Sequence, residues 1–240
     1  MFLLLTQHMS DWPDQRLQDG GPVYMETNPS HFIVEPWNCF SSLLILIPAL
    51  YWFWKTRKER PRHGFLLFAI VMVIVGGLGS AIFHGFRVSV FFLLMDIVPS
   101  ALLTLSLSIY LWLKILQRWW YIFFIMVPAF GVRFLFWGKL PDHVAINLSY
   151  FITGFIVALP LLILLTRVNF RGWIIPTAAV GSFIIALLFR QLDPVKISFL
   201  PMGTHFLWHT FSAVGAYFIL SYVYDLGRTK ILDGNSPAVY

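Results

Sequence analysis

The chain is polar to about residue 34 and then alternates long apolar runs with short breaks carrying charge, proline or glycine. Each run approaches the roughly 20 mostly apolar residues that a membrane helix requires. Seven such runs are readable, at 37–54, 64–84, 88–113, 119–137, 144–166, 172–190 and 203–226. The pattern predicts an all-α membrane protein of seven transmembrane helices. It divides the chain into an extramembrane N-terminal segment (1–36), a transmembrane domain (37–227) and a short tail (228–240). The opening MFLLL is too short for a signal peptide and lacks its basic lead, so the polar head, 6–34, is expected to be retained.

Composition removes the soluble classes. Hydrophobic residues make up 58% and charged residues 12%, against about half and a quarter in a soluble domain. A single cysteine, Cys39, excludes an internal disulfide framework and a cysteine zinc site. A net charge of +6 would suit nucleic acid in a soluble chain; here it reports topology, and no nucleic-acid partner is expected. Lys55, Arg57, Lys58, Arg60 and Arg62 crowd the first loop, and Lys114, Arg118, Arg167, Arg171, Arg228 and Lys230 follow on the same side. The opposite side carries Arg16, Arg87, Lys139 and Lys196. The excess of Lys and Arg marks the cytosolic face, which puts the N-terminus outside or in a lumen and the C-terminus in the cytosol. Arg133 and Arg190, near span ends, are expected to snorkel to headgroups or pair with nearby acids.

Polar chemistry gathers in the outer half of three spans. Ser80 and His84 are one turn apart at the end of the second, so they share a face. Asp96 lies about 10 Å down the third, and His205 and His209 are one turn apart at the start of the seventh. Singly, each has an ordinary reading: a membrane histidine donating between helices, a small serine at a close helix contact, an aspartate paired with arginine or capping the kink before Pro99. Together they are harder to dismiss. An ionised aspartate in hydrocarbon costs about 2.5–3.5 kcal/mol, and Asp96 is the one acid well inside any span. Three neutral imidazoles with one open position form the arrangement of a catalytic zinc site, and His-x3-His on one helix is a familiar spacing for two ligands. His8 and His31 lie in the polar head, His63 on the basic side, and His143 at an outer loop, where a surface histidine is expected.

The pieces YMETN, EPWNCFSSLL, GLGSAIFH, LLMDIVP, LLFRQLD and THFLWHTFSAVGAY, in that order between residues 24 and 217, resemble the alkaline ceramidase family. That family belongs to a superfamily of seven-span membrane metallohydrolases that also contains the adiponectin-type receptors. The resemblance implies zinc on His84, His205 and His209, with Asp96 as the aspartate that handles the reacting water and Ser80 as the family's serine. It also implies a calcium site near the N-terminus on Glu26, Asn28 and Glu35, with a backbone carbonyl from Tyr24. The position before Tyr24, acidic in the eukaryotic ceramidases, is Val23 here, and Asp19 is the nearest acid that could substitute. Without calcium, Glu26 would be a loop acid and Glu35 a first-turn acid favoured by the helix dipole.

The implied activity is zinc-dependent hydrolysis of a linear amide, in ceramide or a related N-acyl lipid, giving a fatty acid and an amine lipid such as sphingosine. Asp96 would take and return a proton, and Ser80 could donate to the developing oxyanion. Membrane lipids and a ceramide-like substrate are the expected partners. The location is a membrane, bacterial inner membrane and endomembrane (ER or Golgi) standing equally. Two other classes remain: a zinc-containing receptor with little turnover, and a transporter using Asp96 and the histidines as a proton relay. The transporter class is disfavoured because no polar groups continue through the inner half of the second, third and seventh spans.

Overall fold

The structure is a computed structural model describing residues 17–58, 63–136 and 138–228, without the side chains of 142 and 143. Every regular element among the described residues is helical: α1 (Pro36–Leu43), α2 (Leu46–Lys55), α3 (Gly64–Phe86), α4 (Val90–Leu113), a 3-10 turn (Trp119–Ile122), α5 (Phe123–Leu135), α6 (Asp142–Arg167), α7 (Ile174–Leu192) and α8 (His205–Arg228). Six helices are long and apolar enough to cross a membrane: Pro36–Lys55, Gly64–Phe86, Val90–Leu113, Val144–Arg167, Ile174–Leu192 and His205–Arg228. This makes the chain a multi-pass integral membrane protein. The expected fourth span forms the shorter apolar stretch Trp119–Leu135, which at 1.5 Å per residue reaches about 25 Å.

Prolines shape these helices by withholding an N–H. The first span is not one unbroken helix: Pro48 cannot donate to the Leu44 carbonyl, and the chain tightens there. Leu44, Ile45 and Ile47 donate three residues back, to Ser41, Ser42 and Leu44. In α6, Pro160 leaves the Ile156 carbonyl without its helical donor. Ser108 Oγ (2.9 Å) and Trp112 Nε1 (3.0 Å), one turn apart on α4, donate to it instead. In α4, Pro99 likewise frees the Met95 carbonyl, which faces Gly79 of α3.

The chain divides into two units, Met1–Ala101 with Ile174–Thr229, and Leu102–Trp173 with Lys230–Tyr240. In the second unit, Trp112, Ile122 and Met126 form a buried cluster covered by Ile109, Ile156 and Leu159. In the first unit, α7 and α8 pack extensively on each other, while α1 and α2 lie against α3 and α8. The core there includes Trp52, Ile70, Phe83 and Leu220. All the chemistry anticipated from the sequence falls in this first unit.

Candidate metal centre

The first turn of α8 is held by an acid from another helix. Asp193, just past α7, accepts the N–H groups of Thr204 (2.8 Å) and His205 (2.9 Å) on Oδ1 and that of Met25 (3.1 Å) on Oδ2. The first two are orphan donors of a helix start and the third belongs to the polar head, so one carboxylate fixes His205 and ties down the head. Gly203, at φ +77°, has no room for a Cβ because the Asp193 carboxylate lies against it. Burial pushes the Asp193 carboxyl up, against the lowering effect of these N–H bonds.

One turn on, His209 meets α1. Its Nδ1 lies 3.1 Å from the Asn38 carbonyl, 3.0 Å from Ser41 Oγ and 3.1 Å from Ser42 Oγ. Both serine hydroxyls donate to the same Asn38 carbonyl, at 3.1 and 2.7 Å. The partners therefore assign the proton to Nδ1 and the lone pair to Nε2.

His84 is oriented by a carboxylate. Val34 and Glu35 donate their N–H groups to the carbonyls of Gly85 (2.9 Å) and His84 (3.1 Å), pairing the head with the last turn of α3. This places Glu35 Oε2 on His84 Nδ1. A carboxylate only accepts, so Nδ1 carries the proton, and Nε2 is buried with no hydrogen-bond partner. His205 Nδ1 is in the same condition. A carboxylate behind a metal-facing histidine fixes tautomer and ring orientation.

The three imidazoles converge. Ring centroids lie 4.9 Å apart for His84 and His209, 4.8 Å for His205 and His209, and 5.4 Å for His84 and His205. One nitrogen from each lies within 4.8 Å of the others, and all three residues are buried. Among the described residues this is the one group of three or more His, Cys, Asp or Glu so placed. Buried nitrogens without partners, on rings two of which have their Nδ1 proton placed, fit a divalent transition ion. Tyr24 covers the group, its ring 4.0 Å from that of His205 and tilted by 30°.

Ser80 and Asp96 join the same place. Ser80 Oγ is 3.0 Å from Ser42 Oγ, and its hydroxyl is hydrogen-bonded to Asp96. The approach of α4 depends on Gly79, where a Cβ would collide with the Met95 backbone. The Arg190 charge acts on both Asp96 and Tyr24. His63 is elsewhere, packed on Tyr224 at the far end of α8, and His31 lies beside Asn28. His8 and the His143 side chain fall outside the described residues.

Each of the expected calcium ligands is engaged by other partners. Glu26 caps α1, accepting the N–H groups of Trp37 (2.9 Å) and Asn38 (2.6 Å), and burial pushes its carboxyl up to about 7. Asn28 Oδ1 takes the N–H and hydroxyl of Ser30, and the Tyr24 carbonyl takes the Thr27 N–H. Glu35 is engaged by His84, Arg87 and Thr27. Burial would raise the Glu35 carboxyl, but these bonds outweigh it and hold it below its ordinary value. As arranged, the donor set does not fit calcium.

Sequence reasoning missed Asn38, Ser41 and Ser42 as supports of His209. Their spacing of three and four residues, one face of a helix, was the available signal. It also missed Arg87 and Asp193, for which no local signal exists. Compared with known proteins, the chain matches no family model and no curated protein.

Proposed function

We propose that this protein is a zinc-dependent intramembrane amidohydrolase that cleaves the amide of ceramide or a related N-acyl lipid, releasing a fatty acid and an amine lipid such as sphingosine. One observation carries the reading: three buried imidazoles, one with its Nε2 unpartnered, converge beside a carboxylate that a serine holds. A relay or a packing role would not need unpaired buried nitrogens, which are costly. Bound by His84, His205 and His209, zinc would supply Lewis-acid polarisation of a carbonyl and acidification of water.

The remaining work belongs to the chain. Asp96 accepts the proton of the attacking water and returns it to the leaving nitrogen. Ser80 has one proton for two neighbours, Ser42 and Asp96. Given to an ionised Asp96, that proton fixes the carboxylate; the Ser42 proton is already committed to the Asn38 carbonyl. An open apolar depression of about 260 Å³, lined by Val75, Phe91, Leu94, Met95, Val98 and Pro99, lies along α3 and α4. It suits one hydrocarbon chain of a lipid whose amide lies at Asp96. The topology of this reading is seven spans, Trp119–Leu135 being the fourth, with the N-terminus outside and the C-terminus cytosolic.

The test compares wild type with Asp96→Asn at equal zinc content in one detergent, on a panel of N-acyl lipids. The amide keeps the carboxylate's shape but cannot accept the proton. Retained zinc with turnover lower by at least about a hundredfold is expected. Equal rates would remove Asp96 from the chemistry, and a fully zinc-loaded wild type that cleaves nothing would favour the receptor class.

A further inference from the structure

Arg87 is the residue just past α3, with φ +52°. A left-handed backbone strains an L-residue, and this position after a helix usually falls to glycine or asparagine. What arginine offers there is its side chain. That side chain is buried. Nε donates to Asp19 Oδ2 at 2.6 Å, Nη2 to Asp19 Oδ1 at 3.1 Å, and Nη1 to Glu35 Oε1. The guanidinium also lies 4.5 Å from the centroid of the Phe83 ring. Gly21 closes over it: a Cβ there would be 2.9 Å from Nη2. Asp19 is further held by the Gly21 N–H at 2.9 Å, and Glu35 by the Thr27 hydroxyl at 2.6 Å.

Asp19 and Glu35 are thus two fully buried carboxylates that share one cation, and that cation is covalently part of the chain. They are also among the acids that would hold calcium if the head resembled the ceramidase type. We infer that Arg87 is a built-in cation standing where a divalent ion would otherwise sit, and that through Glu35 it positions His84 for metal without calcium. Two buried carboxylates this close require a compensating charge. A guanidinium meets Asp19 bidentately and is always charged. It leaves Glu35 Oε2 free for His84 Nδ1. The inference rests on the reading of His84 as a metal ligand; Arg87 itself is a positioning residue.

The experiment uses full-length protein in detergent. Wild type should show no melting shift on adding about 2 mM calcium, a level above the dissociation constants of even weak protein calcium sites, and elemental analysis should find no stoichiometric calcium. Arg87→Gly relieves the backbone and exposes two facing carboxylates. It should melt lower than wild type, regain stability with calcium, and hold zinc at least tenfold more weakly in competition with a chromophoric chelator, calcium restoring the affinity. Arg87→Lys retains a charge and should stay calcium-insensitive. A calcium-dependent shift or bound calcium in wild type overturns the inference even if the glycine variant does not accumulate. So does an Arg87→Gly protein with unchanged zinc affinity and no calcium response. Wild type that holds no zinc defeats the metal reading of His84, while the calcium measurements decide Arg87 in either case.

Discussion

Gly79→Ala adds one methyl group where α3 meets α4. The new Cβ would press on the Met95 carbonyl oxygen, 2.5 Å from its carbon and 2.7 Å from the Met95 Cβ. Carbon atoms are at ease near 3.5–4.0 Å, so the helices must part by about 1 Å. Alanine is favoured over glycine in a helix by up to about 1 kcal/mol, but overpacking costs about 1–3 kcal/mol. The obstacle is backbone, which cannot rotate aside as a side chain can, so the upper part of that range applies and the net loss is about 1–2 kcal/mol. The same 1 Å separates Asp96 from Ser80 and lengthens their hydrogen bond beyond useful reach. On the proposed function, a displacement of that size should lower turnover about a hundredfold, while zinc content should not change, since none of the three histidines is on α4. Gly76→Ala is the internal control: its Cβ would meet the Pro99 Cβ at 3.5 Å, an ordinary contact, and should be neutral or slightly stabilising. Thermal melts and zinc-matched lipid-amide hydrolysis of the two variants make the comparison. If Gly79→Ala melts with Gly76→Ala and turns over at its rate, the close approach does not aim Asp96 and the reasoning fails.

Two further outcomes are open to measurement. Glu26 titrates near 7 in the folded protein rather than near 4.5, so its contribution to stability is complete below about 4.5 and is lost as pH rises through about 7. Wild type should therefore lose melting temperature relative to Glu26→Gln across that window; a difference that stays constant with pH would refute the assignment. For topology, reporter fusions after Arg60 and Tyr240 should read cytosolic and one after Lys196 should not, and a non-cytosolic signal at Arg60 would reverse the orientation.

The helices, their apolar faces and the pairing of Ser80 with His84 and of His205 with His209 were legible in the sequence, because each depends only on spacing along one helix. The starts and ends of α3 and α8 lie within two residues of the expected ones for the same reason. Pro48, Pro99 and Pro160 each deprive the carbonyl four residues earlier of its donor, at Leu44, Met95 and Ile156. They did not announce what would face those carbonyls. That Ser108 and Trp112 reach Ile156, and that Gly79 fits against Met95, follows from how helices pack, which no local pattern encodes. The supports of the metal centre are of this second kind. Glu35 stands 49 residues before His84, and Asn38 stands 171 before His209. Asp19 and Arg87 are 68 apart. The calcium site expected on Glu26, Asn28 and Glu35 came only from the resemblance to the ceramidase family. In the fold, backbone donors, a histidine and a guanidinium reach those oxygens first, since buried polar atoms take the nearest partner that folding brings to them.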